Sequence, residues 1–374
     1  MRAIFCYNYS KFFISHRLPL INKIKHNFTN TVFLGNILKD ESLIISKNMN
    51  LSFDTNITKG SINIFKIIKY FFLFPHKQLR ERNQFDLIEI ATLKGLLIAL
   101  PIILRNKDAK IVIWICGLGT IFLSHSIHHK VIRYFFYKIY SHIYTSFNTS
   151  WIFENQDDKI FFQKKLELKQ DDITVIPGSG YELKKTRHKS HQGVKNKIVF
   201  IGRLIKDKGI IEFIEAAKII LSSPEYRSWS FEIIGDFDDN PTSINKPQLD
   251  YLIGSSSINF KGFVSEMTEY YDEIYCVVLP SYREGLSRVL IEAGAHSIPS
   301  VTTNVTGCKD IIKNRINGML VNPKDINNLS DAIKYLIDNP EHSMEMGINA
   351  YKIFNKNYSL EIISEKTLNF YKYI

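Results

Sequence analysis

The stretch that decides the fold is residues 279–299, Leu-Pro-Ser-Tyr-Arg-Glu-Gly-Leu-Ser-Arg-Val-Leu-Ile-Glu-Ala-Gly-Ala-His-Ser-Ile-Pro. An apolar strand ends at Pro280, a loop carries Glu284, and a helix with apolar periodicity is predicted to begin near Leu286. The start of such a helix offers unpaired backbone N–H groups and the positive end of the helix dipole, which together suit a phosphate group. The N–H groups in question belong to Gly285, Leu286 and Ser287.

Two carboxylates flank the predicted helix start. Glu284 and Glu292 are eight residues apart, which is about 12 Å along a helix axis at about 1.5 Å per residue. That separation is enough to place one carboxylate at one end of a diphosphate and the other at a ribose. Glu81 and Glu89 have the same spacing without the strand–loop–helix setting, so spacing alone does not identify a site. A surface helix carboxylate remains the alternative for Glu292.

A second candidate element is residues 200–209, Phe-Ile-Gly-Arg-Leu-Ile-Lys-Asp-Lys-Gly. A strand leads into Gly202, where the backbone can pass close to a ligand, and Arg203 and Lys208 follow in the same turn. Two cations that face a helix N-terminus would neutralise a pyrophosphate through charge-assisted hydrogen bonds. Without the helix predicted to begin near Leu286, the same two residues would be ordinary solvated charges of a turn.

Short apolar runs alternate with longer helical ones, which is typical of parallel α/β units. The predicted strands are the N-terminal run Met1–Ser10, Thr31–Gly35, Phe85–Ile90, Ala109–Ile115, Ile173–Pro177, Lys197–Gly202, Ser230–Gly235, Ser257–Gly262, Tyr275–Pro280, Ser300–Thr303 and Gly318–Val321. The polar run 184–196 is predicted to link a Rossmann-like domain at 1–183 to a second at 197–355. Residues 356–374 are predicted to form a C-terminal helix that crosses back to the first domain. The expected fold is α/β, with two doubly wound domains facing each other across a ligand cleft.

Positive charge is concentrated in one half of the chain. The 374 residues carry a net charge of +11, but residues 1–190 contain 28 Lys and Arg against 14 Asp and Glu, while residues 191–374 contain 20 against 23. The basic surplus accompanies the aromatic-rich stretches 62–75 and 131–140. Basic amphipathic helices of this kind suit an anionic membrane surface. The alternative is ordinary surface helices, and nucleic acid is not an expected partner because no recognised binding motif accompanies the charge.

Several function classes are disfavoured by absent patterns. The chain has no GxxxxGK[ST], GxGxxG, GxSxG or HExxH sequence, which argues against P-loop hydrolysis, dinucleotide redox chemistry, a serine-hydrolase elbow and a zincin. Asp236-Phe-Asp238 is predicted to be a turn and not a metal site, and the histidines at 125, 128, 129 and 142 lack suitably spaced ligands for zinc. The expectation is therefore that no metal is bound.

Compartment and membrane topology are also constrained. Four cysteines without a CxxC pair favour reduced thiols in a cytoplasmic protein. The N-terminus is predicted to be a strand and not a signal peptide. The longest apolar stretch, residues 87–104, contains Glu89, Lys94 and Pro101. Because charged residues and proline are unusual in a membrane-spanning helix, we expect a buried strand followed by a buried helix and no transmembrane segment.

These segments resemble the signature of family 4 of the retaining glycosyltransferases, which have the GT-B fold. The family's E-x7-E motif falls at Glu284 and Glu292, and its G-R-x4-K-G loop falls at residues 202–209. Further stretches resemble a subgroup that builds bacterial surface glycans, such as O-antigen and capsule, from UDP-sugars. These stretches are Ser15–Leu20, Ala91–Gly95, Cys116–Gly119, Ile176–Gly180 and Gly235–Pro241. The likeness covers nearly the whole chain in order.

The resemblance implies a role for each motif residue. Arg203 and Lys208 would hold the diphosphate, Glu284 would contact the donor sugar, and Glu292 would bind the ribose hydroxyls. The amides of residues 285–287 would assist with phosphate. The sequence departs from the family near the end of the strand at 85–90, where many members carry a histidine and this chain has Glu89 and Ala91. The remaining cleft candidates of the first domain are Ser15, His16, Arg17, Lys94, Gly117 and Gly119.

By the same resemblance, the reaction would move a hexose or N-acetylhexosamine from UDP to a polyprenyl-diphosphate-linked saccharide, with no metal or other cofactor. The basic first domain would hold this acceptor at the inner leaflet of the plasma membrane, so that the protein is cytoplasmic and peripherally bound. Two other classes stay open. They are a sugar-nucleotide epimerase of the same architecture and a non-catalytic lipid- or polyanion-binding protein.

Overall fold

The structure is a computed structural model that describes residues 1–55, 85–118, 122, 126–183, 196–238 and 242–373. The chain divides into two units. The first contains Met1–Gly180 together with Leu360–Ile374, and the second contains Tyr181–Ser359. The sequence predicted a first domain at residues 1–183 and a second domain at residues 197–355. Linker residues 184–195 lie outside the described part of the chain.

The first unit is built on a parallel sheet. Its strands are β1 (Arg2–Tyr9), β2 (Asn30–Asn36), β3 (Leu51–Asp54), β4 (Leu87–Ala91), β5 (Lys110–Ile115), β6 (Thr149–Phe153) and β7 (Ile173–Val175). Their order is β3-β2-β1-β4-β5-β6-β7. The described helices of this unit are α1 (Ser10–His16), α2 (Leu18–Ile24), α3 (Ser42–Asn48), α4 (Leu93–Ile103), α5 (Ile127–Ser146) and α6 (Gln156–Leu166). The last helix of the chain, α13 (Leu360–Tyr373), follows the second unit in sequence but belongs to the first. Every residue of β4 and β6 is buried, as expected of parallel strands covered on both faces.

The second unit repeats this arrangement. Its strands are β8 (Lys197–Ile201), β9 (Ser230–Ile234), β10 (Ile258–Gly262), β11 (Cys276–Leu279), β12 (Ser300–Thr303) and β13 (Gly318–Val321), in the order β10-β9-β8-β11-β12-β13. Its described helices are α7 (Ile210–Leu221), α8 (Lys246–Ile253), α9 (Met267–Tyr271), α10 (Arg288–Ala295), α11 (Ile326–Asp338) and α12 (Pro340–Asn357). The strand order reverses between β8 and β11, and ligands of open α/β sheets bind at such a switch point.

The predicted pair of doubly wound parallel sheets is present, and each predicted strand lies in one of them. Strands β3 and β6 were not predicted, because Leu51–Asp54 and Thr149–Phe153 each contain two polar residues that interrupt the apolar run. The stretch 87–104 forms a strand and then a helix, as expected. Among the described residues, no helix combines the length and the apolar character that crossing a membrane requires. All four cysteines are free, and Cys116 is the one that is not fully buried.

Candidate functional site

The loops that follow β8 and β11 lie against each other at the switch point of the second sheet. Gly209 has a φ of 74°, and a Cβ atom built on it would be 2.2 Å from the carbonyl oxygen of Pro280. Only glycine allows this close approach in the left-handed region. The backbone N–H of Tyr282 also donates to the carbonyl oxygen of Asp207 at 2.9 Å. The two motif loops are therefore held together by their own backbones.

This contact brings Lys208 and Glu284 together. The Lys208 Nζ atom lies 2.5 Å from Oε1 and 2.6 Å from Oε2 of Glu284, and the Ser281 hydroxyl donates to Oε1 at 2.7 Å. The Lys208 and Glu284 side chains are only 20% and 10% exposed. Lys208 is therefore not a freely solvated turn residue, and sequence reasoning had not paired these two side chains with each other.

Arg203 takes a different partner. Its Nη1 atom lies 3.1 Å from Oδ2 of Asp238, and its side chain is 52% exposed. Asp238 belongs to the loop after β9, which is pressed against Gly202. A Cβ atom on Gly235 would lie 1.8 Å from the Gly202 carbonyl oxygen, so a side chain does not fit at position 235. The Leu204 N–H donates to the Asp236 carbonyl oxygen at 3.0 Å, which links the two loops. Arg203 is the accessible cation of the pair that the sequence predicted.

Helix α10 begins two residues later than predicted, at Arg288, with Ser287 as its N-cap residue. The prediction of an unpaired Ser287 amide was wrong, because the Ser287 N–H donates to the carbonyl oxygen of Gly307 at 3.3 Å. Gly285 and Leu286 lie in the loop before the helix. The first helical hydrogen bond runs from the Ile291 N–H to the Ser287 carbonyl oxygen at 3.2 Å. The N–H groups in the first turn of a helix do not take part in its i to i−4 hydrogen bonds.

Glu292 lies on the second turn of α10, and both of its carboxylate oxygens are engaged. The Arg288 Nε atom donates to Oε1 at 2.6 Å, and the Tyr271 hydroxyl donates to Oε2 at 2.8 Å. Because Glu284 precedes the helix, the estimate of about 12 Å from helical rise does not apply to this pair. Sequence reasoning missed Tyr271, which stands 21 residues before Glu292 and belongs to no recognised motif.

The Asp-Phe-Asp sequence forms no cluster of unengaged carboxylates. The Phe237 N–H donates to Asp236 Oδ1 at 2.9 Å, and Asp238 pairs with Arg203. Across the described ranges, no group of three or more His, Cys, Asp and Glu side chains is arranged to hold a metal ion. His125 and residues 239–241 lie outside those ranges.

In the first unit, Arg17 is a core residue and not the cleft residue that the sequence predicted. Its side chain and that of Glu89 have no exposed surface, and Arg17 Nη2 lies 2.9 Å from Glu89 Oε1. The guanidinium lies 3.5 Å from the ring centre of Trp114 and donates to the Tyr7 hydroxyl at 2.8 Å. Tyr371 of α13 donates to the other oxygen of Glu89. Glu89 therefore serves as the buried counter-ion of Arg17.

The other described first-unit candidates lie on helices or after a strand end. Ser15 and His16 are exposed on α1, where the Ser15 hydroxyl oxygen is 2.7 Å from His16 Nδ1. Lys94 lies in the first turn of α4, and partial burial lowers its pKa. Gly117 follows β5 with a φ of 118°. Gly119 lies outside the described residues.

Glu154, at the carboxyl end of β6, is a titratable group that sequence reasoning did not single out. Burial raises its pKa to about 7, although Arg17 acts in the opposite direction. Desolvation and the nearby Glu154 raise the pKa of the neighbouring Cys116 thiol well above its usual value. No local pattern marks this position, because the neighbours of Glu154 come from other strands.

Residues 183–353 match the family described as Glycosyl transferases group 1. That range contains both motif loops described above, residues 202–209 and 279–299.

Two curated relatives extend the comparison. The chain is 27% identical over 330 residues to the N,N'-diacetylbacillosaminyl-diphospho-undecaprenol alpha-1,3-N-acetylgalactosaminyltransferase of Campylobacter jejuni, an alignment that covers 84% of this chain and 83% of that protein. It is 26% identical over 201 residues to the UDP-Gal:alpha-D-GlcNAc-diphosphoundecaprenol alpha-1,3-galactosyltransferase of Escherichia coli, which covers 49% of this chain and 50% of that protein. The second alignment thus spans half of the relative's length.

Among solved structures, HepE from Anabaena in complex with UDP matches with a TM-score of 0.77 at 15% identity, over the full length of both chains. At this identity the likeness shows the fold alone. It confirms the fold class that the sequence predicted, which is GT-B with two Rossmann-like domains.

Proposed function

We propose that the chain is a retaining glycosyltransferase, on the premise that residues 183–353 match the family described as Glycosyl transferases group 1. It transfers a sugar from a UDP-sugar, a UDP-hexose or UDP-N-acetylhexosamine, to a polyprenyl-diphosphate-linked saccharide in the synthesis of a bacterial surface glycan such as O-antigen or capsule. The observation that carries the proposal is the Lys208–Glu284 pair, held at the switch point of the second sheet beside the start of α10.

The proposed chemistry depends on the leaving group. As the anomeric bond breaks, negative charge develops on the departing diphosphate, and Lys208, Arg203 and the first-turn amides of α10 stabilise it. Glu284 hydrogen-bonds the donor sugar. The acceptor oxygen forms the new bond to the anomeric carbon on the face from which the diphosphate departs, and the departing phosphate accepts the proton of the acceptor hydroxyl. The step therefore needs no protein nucleophile. The proposal requires no metal ion or other cofactor, since the cations of the chain supply the positive charge.

The proposed acceptor rests on the relatives and on charge. Both relatives carry a diphospho-undecaprenol-linked sugar in their names, and this chain has its basic surplus in residues 1–190. Lipid-linked diphosphates and anionic phospholipids are both attracted to such a surface. We therefore place the protein at the inner leaflet of the plasma membrane, bound peripherally from the cytoplasm.

The experiment that tests the function has two stages. Thermal shifts with a set of nucleotide sugars identify the donor, and turnover is then measured with that donor and lipid-linked saccharide acceptors. Sugar transfer that requires the acceptor supports the proposal. Conversion of the donor sugar without acceptor identifies an epimerase instead, and lipid binding with no nucleotide binding identifies a non-catalytic protein.

The proposal predicts a kinetic separation of the two glutamates. Glu292→Gln is expected to raise the KM for the donor about tenfold, with a smaller effect on kcat, because the ribose does not change during the reaction. Glu284→Gln is expected to lower kcat, because an interaction with the sugar strengthens as charge develops. Steady-state kinetics on both variants measure this. A Glu292 variant that loses only kcat, together with a Glu284 variant that loses only donor affinity, would reverse the two assignments.

The proposal also predicts that α5 docks on anionic membranes. Ile127, Val131, Tyr134 and Phe135 are 50–76% exposed along one face of this helix, and Lys130 and Lys138 are exposed beside them. An exposed apolar face with basic neighbours matches the chemistry of an anionic phospholipid surface. Phe135→Asp is expected to weaken binding to vesicles with one third anionic phospholipid roughly tenfold.

The matched control for this prediction is Phe263→Asp, which changes an exposed phenylalanine of the second unit (72% exposed). It should leave vesicle binding unchanged. Binding of the parent protein should also weaken steeply with salt, because exposed charges are screened within about 10 Å at about 0.1 M. Equal partitioning of the parent onto neutral and anionic vesicles would contradict the prediction.

A further inference from the structure

Tyr271 is a buried residue that reaches the proposed ribose contact from outside the sequence motifs. It is the last residue of the short helix α9, has no exposed surface, and donates its hydroxyl to Glu292 Oε2 at 2.8 Å. Burial and the nearby Glu292 carboxylate raise the pKa of this phenol well above its usual value. The hydroxyl therefore keeps its proton at neutral pH and acts as a donor to Glu292.

The Glu292 carboxylate is held from two sides. Arg288 donates to Oε1 at 2.6 Å while Tyr271 donates to Oε2, and the Glu292 side chain is 16% exposed. An ionised carboxylate has about four acceptor positions on its two oxygens. Two donors from the protein leave one acceptor position on each oxygen, which is the arrangement that accepts hydrogen bonds from two adjacent hydroxyl groups.

The aromatic ring of Tyr271 is fixed as well. It stacks on His296 with ring centres 4.7 Å apart and 22° between the planes. The Nε2 atom of His296 is in turn 3.3 Å from the Tyr181 hydroxyl. Because the ring stacks on an imidazole and lies in a cluster of buried apolar side chains, the position of its hydroxyl oxygen is set by the protein and not by the ligand.

We propose that Tyr271 is a positioning residue that orients the Glu292 carboxylate to recognise the vicinal 2′ and 3′ hydroxyls of the donor's ribose. The inference rests on the proposed function, because it takes Glu292 as the ribose contact. Tyr271 does not touch the nucleotide. It removes the rotational freedom of Glu292, so that fewer conformations are lost when the ribose binds.

The test compares UDP with 2′-deoxy-UDP by calorimetry. The parent is expected to prefer UDP by roughly tenfold or more, because removal of one hydroxyl leaves a carboxylate acceptor without its donor. Tyr271→Phe keeps the ring and its stacking on His296 but lacks the hydroxyl, and is expected to lower this preference about fivefold. Tyr275→Phe is the matched control. It removes a hydroxyl that donates to the Leu336 carbonyl oxygen at 2.6 Å in the same unit, and should keep the parent preference.

A double variant separates positioning from a general structural effect. In a Glu292→Gln background, Tyr271→Phe should cause no further loss of the preference, because both changes act through one carboxylate. If Glu292→Gln alone keeps the parent preference, the ribose assignment fails and the proposed function loses that contact. If Glu292→Gln lowers the preference while Tyr271→Phe keeps it, the role of Tyr271 is overturned and the function stands. A further loss in the Gln background also overturns the positioning role.

Discussion

Lys208→Ala is expected to lower turnover by about 100-fold or more, the size of effect seen when a single preorganised donor to a developing oxyanion is removed. Lys208 lies at the switch point of the second sheet, with its Nζ atom within 2.6 Å of both Glu284 oxygens. In the proposed mechanism this ammonium group stabilises the departing diphosphate. Steady-state turnover with one donor and one acceptor measures the effect. Lys206→Ala, which changes an exposed lysine of the same turn, is the matched control and should retain parent turnover.

Stability has to be measured beside activity for this variant. The fold usually tolerates the loss of an exposed charge, and the Arg203 side chain is 52% exposed. Lys208→Ala, however, leaves Glu284 largely buried without its cation, which costs stability. The double change Lys208→Ala with Glu284→Gln removes the unpaired charge and should recover thermal stability but not turnover.

The double variant also tests whether the two residues act together. Because Lys208 and Glu284 are in direct contact, their effects on turnover should be less than additive. Turnover of the Lys208 and Arg203 alanine variants within a few-fold of the parent would remove the leaving-group mechanism. Recovery of turnover in the double variant would mean that the pair is structural and not catalytic.

The second large effect is expected in the stability of the first unit. Glu89→Gln should lower the free energy of unfolding by about 3–5 kcal/mol, because it leaves the buried Arg17 guanidinium without its carboxylate. Both side chains have no exposed surface and their charged atoms are 2.9 Å apart. Urea unfolding measures the change. Asp250→Asn is the control, since it breaks an ion pair with Lys246 in which both side chains are more than half exposed and which should contribute little.

A stability of the Glu89→Gln variant equal to the parent would show that the pair is not the buried ion pair described here. The change Arg17→Met with Glu89→Leu supplies a second measurement. Replacing both charges with apolar groups of similar volume should restore much of the loss, because no unpaired charge remains in the core. If the double variant is as unstable as the single one, packing and not charge explains the effect.

The parts of the molecule that sequence could predict are those with local signals. The apolar run before Pro280 and the periodic residues after Ser287 each indicate their own element. Long-range partners carry no such signal. Arg17 and Tyr371 are 72 and 282 residues from Glu89, and nothing near any of these residues indicates that they meet.

The same limit applies within the motif itself. The start of α10 was misplaced because the Ser287 amide is captured by Gly307, a residue 20 positions away in the loop after β12. Gly307 has a φ of 81°, and a Cβ atom there would lie 2.6 Å from the Glu284 carbonyl oxygen. A close backbone approach of this kind is decided by the tertiary fold, so local propensity around residues 284–288 could not predict it.

Helix α13 has a consequence for how the protein is made. Tyr371 of this helix bonds Glu89 in the first sheet, and its ring lies 6.4 Å from that of Phe28. The ribosome synthesises residues 181–359, the whole second unit, between these partners. Domains usually fold in the order of their synthesis, but here the second unit is continuous in sequence and can complete its core first. The first unit cannot complete its core until α13 has been synthesised, so the core residues that α13 covers stay exposed until then. We expect the nascent chain to need chaperone protection during that interval.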